Sequence, residues 1–289
     1  MIDPQLEGRV AIVTGANHGI GAAAAEALST HGTKVLVHYY RPPCCYSQEE
    51  MLGGLEMRTG GDLLYRAMQQ QSADALVARI HSHGTTAFAH EADLGHPRSI
   101  PALFDLCEGQ LGPADILINN HTHCVMDTFD PARATSEPPA VRVTSAESID
   151  GHFAINARAY ALLMSEYVRR YLERQATWGR IVNVTTDAAH AHVANISYAA
   201  SKHAIESYSR SAAAELGRHG ITVNIVAPGP IQTGYITPEM EAGIAASTPL
   251  GRVGQPDDVA DVIVFLASHQ ARWLTGQLLY VGGGYRMPQ

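Results

Sequence analysis

No basic run occurs anywhere in the 289 residues, and the formal net charge is −8. That balance excludes the electrostatic footprint of a nucleic-acid-binding surface. No apolar stretch approaches the roughly 20 residues that a membrane-spanning helix needs. The N-terminal Met1-Ile-Asp-Pro-Gln-Leu-Glu7 carries two acids and no apolar core, so no signal peptide is expected. Cysteine is scarce: there are four, with Cys44 and Cys45 adjacent and no framework spacing, the pattern of reduced thiols in a cytoplasmic protein. No internal repeat and no second domain is visible. What remains is one α/β domain spanning residues 1–289, and a hydrophobic content of 46% allows it a substantial core.

The organising stretch lies near the start. Val10-Ala-Ile-Val13 is a continuous apolar run, suited to a strand buried on both faces. It stops at Thr14-Gly15-Ala-Asn-His-Gly19-Ile-Gly21, and Ala22 to Leu28 reads as helix, rich in alanine and free of β-branched residues. Glycines in such a loop permit a tight turn and close backbone approach to a pyrophosphate. The helix N-terminus then offers unpaired N–H groups and a positive dipole end to the anion. The spacing is Gly-x-x-x-Gly-x-Gly, not the Gly-x-Gly-x-x-Gly of the dinucleotide fingerprint. Glycines between a strand and a helix are ordinary turn chemistry, so the loop needs support from the rest of the chain.

That support is an alternation of strands and helices about every 25 residues, which predicts a doubly wound parallel sheet of about seven strands with helices on both faces. Strands are expected at Lys34–Tyr39, Thr85–His90, Ile116–Ile118, Gly179–Val184, Ile221–Val226 and Gly276–Val281. Helices are expected over Asp62–His83, Ser99–Glu108, roughly Ala146–Arg174, Ser197–Arg218 and Pro256–Leu266, with a short lid-like segment at Thr237–Ser247. Residues 41–61 read as an insertion or loop. Residues 121–145 read as a second long loop, of a length usually functional or mobile. Asn156 sits in the apolar stripe of the long helix, where a buried amide needs partners.

Tyr198 and Lys202 stand four apart on one helix face, so their side chains can converge. A tyrosine with a pKa near 10 is a poor base at neutral pH. An ammonium beside it favours the phenolate, and reaching about 7 takes about 4 kcal/mol, a plausible amount in a partly desolvated site. Any helix can carry Tyr-x-x-x-Lys by chance. Here, however, Thr14-Gly-Ala-Asn-His-Gly-Ile-Gly21, Asp93, Asn119-Asn120, Asn156, Thr185-Thr186, Tyr198-Ala-Ala-Ser-Lys202 and Pro228-Gly229 occur in an order and spacing that resembles the classical short-chain dehydrogenase/reductase family, which includes 3-oxoacyl-carrier-protein reductases and ketone reductases. The resemblance runs from Gly8 to Gly284 and includes Gly251-Arg-Val-Gly-Gln-Pro-Asp-Asp and Thr275-Gly-Gln.

The resemblance implies a single-domain Rossmann fold and hydride transfer between a nicotinamide coenzyme and a carbonyl or secondary alcohol. Tyr198 would be the general acid or base. Lys202 would lower the Tyr198 pKa and hold the nicotinamide ribose. Asn156 would line a proton-relay water chain, and Thr186 would orient substrate in place of the family's serine, with Thr185 the other candidate. Gly15, Asn17, His18, Gly19, Ile20 and Gly21 would surround the diphosphate and adenosine end. Asp93 and Leu94 would flank the adenine, Asn120 the adenosine-side ribose, and Pro228, Gly229, Ile231 and Thr233 the nicotinamide end. Family habit implies a dimer or tetramer through the helices at 146–174 and 197–219.

The departures from the family carry expectations of their own. Asn-Asn-Ala-Gly becomes Asn-Asn-His121-Thr122, and Asp-Gly-Gly becomes Gly282-Gly-Gly284. The tip of the second strand reads His38-Tyr39-Tyr40-Arg41, with Tyr39 where the family's ribose-binding acid usually stands. Arg41 offers a planar fork to a 2′-phosphate, so NADP(H) is expected over NAD(H). The pairs His81/His83, His121/His123 and His190/His192 invite a metal reading, but no cysteine or carboxylate cluster completes a ligand set; no metal is expected. Two rivals stand beside a carbonyl reductase. One is a dinucleotide-binding sensor or scaffold with little turnover, and the other an oxidative dehydrogenase of a sugar, polyol or steroid alcohol.

Overall fold

Strands that are apolar on both faces need helices on both sides of the sheet, and the chain supplies them. The computed structural model describes residues 3–137 and 140–287. Its elements run β1 (Val10–Val13), α1 (Gly19–Thr30), β2 (Lys34–Tyr39), α2 (Gln48–Met57), α3 (Asp62–Gln69), α4 (Asp74–Ser82), β3 (Ala87–Glu91), α5 (Ser99–Gln110) and β4 (Ile116–Asn119). Then follow β5 (Asp127–Thr128), β6 (Arg142–Val143), α6 (Ala146–Phe153), α7 (Ala159–Glu173), β7 (Gly179–Val184) and α8 (Ile196–Leu216). The chain continues through β8 (Ile221–Pro228), α9 (Pro238–Ser247), α10 (Pro256–Ala267) and β9 (Leu278–Val281).

Seven of these strands form one parallel sheet in the order β3-β2-β1-β4-β7-β8-β9. This is the expected doubly wound Rossmann-type sheet. Side chains alternate between its faces. Val13, Val37 and Ile118 pack with Leu28, Leu76 and Ile263 on the side of α1, α4 and α10. Ile12, Leu36, Leu117 and Ile181 pack with Phe104, Leu163 and Tyr167 on the side of α5, α7 and α8. The strand order reverses between β1 and β4, so a crevice opens beyond the carboxyl ends of those strands.

Four local features depart from the sequence reading. Residues 41–61 are not a plain loop, because α2 occupies their second half behind a capping box in which Ser47 and Glu50 satisfy each other's backbone N–H. The Ser-x-x-Glu signal was present, but two glycines inside the helix masked it. Gly54 is needed there, since a Cβ would lie 2.9 Å from Leu63 Cγ of α3.

The helix expected over Asp62–His83 is broken into α3 and α4. Asn17 makes the break, its Nδ2 donating to the carbonyls of Gln69 and Gln71 at 2.8 Å each. The expected long helix at 146–174 contains a π-helical turn over Ala154–Arg158 between α6 and α7, with Asn156 inside it. In the 121–145 segment, β5 and β6 pair in parallel; residues 138 and 139 lie outside the described residues.

Candidate active site

The crevice at the switch point is a cavity of about 800 Å³. Of the residues singled out in the sequence, Gly15, Asn17, His18, Gly19, Ile20, Asp93, Leu94, Asn120, Thr186, Tyr198, Pro228, Gly229, Ile231 and Thr233 line it. They arrive from the ends of β1, β3, β4, β7 and β8 and from the start of α8.

The glycine loop is built for close approach. A Cβ on Gly15 would lie 2.8 Å from His121 Cα, and one on Gly21 would lie 2.2 Å from Gly15 O. Gly21 therefore serves loop closure and does not itself line the cavity. Asn120 Nδ2 donates to Gly15 O at 2.8 Å and ties the loop to the end of β4. The N-terminus of α1 carries no side-chain cap and no acidic residue in its first turn. Its N–H groups and the buried His18 Nδ1, unpartnered among the described residues, therefore fit an anionic, hydrogen-bonding group such as a dinucleotide's pyrophosphate. Burial pulls His18 down to about 4, so it faces that site as a neutral ring.

Four coenzyme candidates fall outside the cavity lining: Gly21, Lys202, Tyr39 and Arg41. Tyr39 is 7% exposed and belongs to the hydrophobic core with Ala73 and Leu76, because alternation along β2 turns His38 and Tyr40 toward the crevice instead. Arg41 does not line the cavity either. Its guanidinium forks onto Glu91, with Nε donating to Oε1 at 3.0 Å and Nη2 to Oε2 at 2.6 Å. The acid comes from β3, aligned beside β2 with Tyr39 opposite Glu91, a pairing invisible in one strand's sequence. The residues that line this end are Tyr40, Pro42 and Pro43.

At the other end Tyr198 stands half-buried in the wall. Burial pushes its phenol up, and a hydrogen bond with Thr122 only partly opposes this. Lys202 is 2% exposed, and burial pulls its ammonium down to about 7. Its Nζ donates to Val184 O at 3.0 Å and sits 5.8 Å from the centroid of the Tyr198 ring. Lys202 thus lies beneath the Tyr198 ring, and burial sets the direction of the phenol's shift.

Asn156 is fully buried and does not line the cavity. Its Oδ1 accepts from His123 N at 2.7 Å, and its Nδ2 donates to His123 O at 2.8 Å and Ser201 Oγ at 3.0 Å. The amide thus clips the chain after β4 to α8. The two threonines divide clearly. Thr185 is 3% exposed and donates to Lys202 O at 3.1 Å, while Thr186 Oγ1 accepts from Ala188 N two residues on, at 3.3 Å.

Several site residues take roles that the sequence reading did not assign. His121 replaces a small residue and fits by being buried in a ring of partners. Its Nε2 donates to Ile155 O at 3.1 Å, so Nδ1 accepts from Thr14 Oγ1 at 2.8 Å. His38 links Gly15 N and Ala92 O across the crevice. Tyr65, Arg66 and Gln69 of α3 form one wall, and only the tertiary placement of α3 brings them there. Asp187 lies beside Gly229 and Gly282, placing a carboxylate next to the position where the family's Asp-Gly-Gly acid is missing.

A doubly wound sheet with a glycine loop at its switch point and a Tyr-x-x-x-Lys helix on the same cavity defines a nicotinamide-dependent oxidoreductase. The chain belongs to the short-chain dehydrogenase/reductase family, an NAD(P)-dependent class acting on CH–OH and C=O groups. A family model described as Enoyl-(Acyl carrier protein) reductase matches residues 56–286. An uncharacterized oxidoreductase of Methylorubrum extorquens is 34% identical over 98% of this chain and 99% of its own length. An NADPH-dependent aldehyde reductase-like chloroplastic protein of Arabidopsis thaliana is 32% identical over 97% of this chain and 95% of its own. Among solved structures, the promiscuous reductase LugOII, which catalyses keto-reduction at C1 during lugdunomycin biosynthesis, superposes with a TM-score of 0.75 at 32% identity, covering 97% of this chain and 99% of that one.

Proposed function

We propose that this protein is an NADP(H)-dependent carbonyl reductase. The observation that carries the reading is Tyr198. Its burial-raised phenol opens on the same cavity as the glycine loop and Thr186. When bound, the coenzyme supplies hydride to the substrate carbon. Tyr198 donates its proton to the carbonyl oxygen, which a phenol protonated at neutral pH is suited to do. Thr186 hydrogen-bonds that oxygen and orients it. Lys202, beneath the Tyr198 ring, would hold the coenzyme's ribose. Asn156 is a positioning residue that keeps the chain at 122–123 against α8.

The preference for NADP(H) draws support from the end of β2, where Tyr40 and Pro42 line the cavity in place of a strand-tip acid. The name of the Arabidopsis relative, which includes NADPH-dependent, agrees with it. We further propose that residues 1–289 act as one dinucleotide-binding unit in the cytoplasm, in keeping with four free cysteines. Among the described residues no helix is long and apolar enough to cross a membrane. Exposed Leu162 and Leu172 on α7 and Tyr208 on α8 support a dimer or tetramer through these helices, which light scattering would measure.

The test is NADPH oxidation across a panel of ketones and aldehydes, with binding of the coenzyme followed in parallel. Turnover is expected, and Tyr198→Phe should abolish it while coenzyme affinity stays within about threefold, since only the transferable proton is lost. Tight coenzyme binding without turnover on any substrate would turn the reading to a sensor.

A further inference from the structure

We infer that Arg66 on α3 recognises a carboxylate or similar oxyanion on the substrate, a reading that rests on the reductase assignment and adds a substrate class to it. The helix that carries Arg66 is anchored over the cavity. Asn17 of the glycine loop holds the carbonyls of Gln69 and Gln71. On the opposite side Gly61 N donates to Tyr235 O at 3.0 Å. Tyr65 packs edge-on to both His18, at 5.4 Å, and Tyr235, at 6.2 Å. α3, with Gly61 before it, thereby bridges the loops that follow β1 and β8, and its side chains become a fixed wall of the crevice.

Arg66 is the one lysine or arginine in the cavity lining among the described residues. It stands on the Tyr198 side, close enough to His123, Cys124 and Tyr235 for its charge to bias their titration. Asp93 and Leu94 line the opposite, coenzyme-adenine end of the proposed site. Its fork is held but not consumed. Nε approaches Asp62 Oδ1 at 3.4 Å, and Nη1 donates to Gln69 Oε1 at 3.2 Å. Nη2 makes no hydrogen bond to protein among the described residues. Asp62 in turn accepts from Tyr46 Oη at 3.0 Å, which divides its charge between two partners.

A helix-surface i,i+4 pair at this separation, with both side chains about a third exposed, contributes little stability by itself. A planar guanidinium with a free edge suits an oxyanion better than an uncharged carbonyl group. The substrate expected from this geometry carries its acidic group across the cavity from the carbonyl that meets Tyr198, as in a keto acid.

The experiment is calorimetric titration of the whole protein, saturated with NADP+, with 4-acetylbenzoate, whose ring separates ketone from carboxylate, and with its methyl ester. Wild type should bind the acid at least about tenfold more tightly than the ester. Arg66→Gln should bring the two within about twofold while NADP+ affinity holds, and Arg66→Lys should restore part of the difference. Equal binding of acid and ester by wild type, or no binding of the acid, overturns the proposal. So does an Arg66→Gln protein that loses NADP+ affinity but keeps its acid-to-ester ratio, because the guanidinium would then serve the coenzyme phosphates. Titration reads binding alone, so failure here is distinct from an absence of turnover on the ketone panel.

Discussion

The carboxylate of Asp127 accepts hydrogen bonds from both the backbone N–H and the hydroxyl of Ser197, the residue immediately before Tyr198. Ser148 Oγ donates to the same carboxylate at 2.8 Å, so one buried acid ties the chain after β4 to α6 and to the first turn of α8. A negative charge at a helix N-terminus is favourable. Burial pushes the Asp127 pKa up, but the bonds from Ser197 and Ser148 outweigh it and the net shift is downward.

Asp127→Asn should therefore destabilise the fold by about 2 kcal/mol, since an amide turned toward these donors leaves some of them unmet. A carboxylate with a depressed folded pKa contributes stability above its unfolded pKa of about 3.9, and loses it as pH falls through the folded value. Melting temperatures of wild type and variant should differ steadily from neutral pH to about pH 5 and converge in stronger acid. A gap that persists at pH 2 contradicts this. Turnover should also fall, because Tyr198 sits one residue from the anchor.

Lys202 stabilises nothing by being charged. Its pKa falls from 10.5 to about 7 on burial. Between those values the unfolded chain binds a proton that the folded chain does not, so stability rises with pH across that window. Below pH 7 the full cost of the buried ammonium is present. Lys202→Met should thus be more stable than wild type at pH 6, by roughly 2–4 kcal/mol after loss of the Val184 bond. The advantage should fade by pH 10.5, and turnover should be lost throughout. Urea denaturation at pH 6 and pH 10 checks the sign.

Thr186→Ser should remain active and Thr186→Val should not, because valine keeps the shape and loses the hydroxyl. Thr185 bonds Lys202 O and is committed to holding α8, so Thr185→Val should lower thermal stability before it lowers kcat. Near-normal rates in Thr186→Val would move the substrate contact elsewhere.

Coenzyme choice should respond to the side chain that lines the cavity. Tyr40→Asp should shift the ratio of NADPH to NADH affinity toward NADH by about tenfold or more, by repelling a 2′-phosphate. Arg41→Ala should change that ratio less than about threefold, since its fork is already held by Glu91. A large effect of Arg41→Ala, measured by fluorescence titration of both coenzymes, would mean that the ion pair opens for the phosphate.

The sheet was legible in the sequence because β1, β2, β4, β7 and β8 are apolar runs punctuated by glycine, asparagine and proline, and such signals are local. The glycine loop, Thr186 and Tyr198 were legible for the same reason, since each ends a strand or opens a helix at the same edge of the sheet. The side-chain directions were not. Tyr39 and Arg41 turned away from the crevice because one pairs into the core and the other meets Glu91 from a neighbouring strand.

Asn156 and Lys202 were found by pattern, yet their partners His123, Ser201 and Val184 follow from packing between distant segments. The wall formed by α3 was hidden for a related reason. Asn17 breaks the helix at 69–73 and fixes α3 over the cavity, through contacts spanning more than fifty residues. Sequence periodicity determined which segments become strands and helices, because backbone preference and burial act over a few residues. The tertiary structure decided which polar groups share one cavity, because only chain folding brings together donors and charges that the sequence keeps apart.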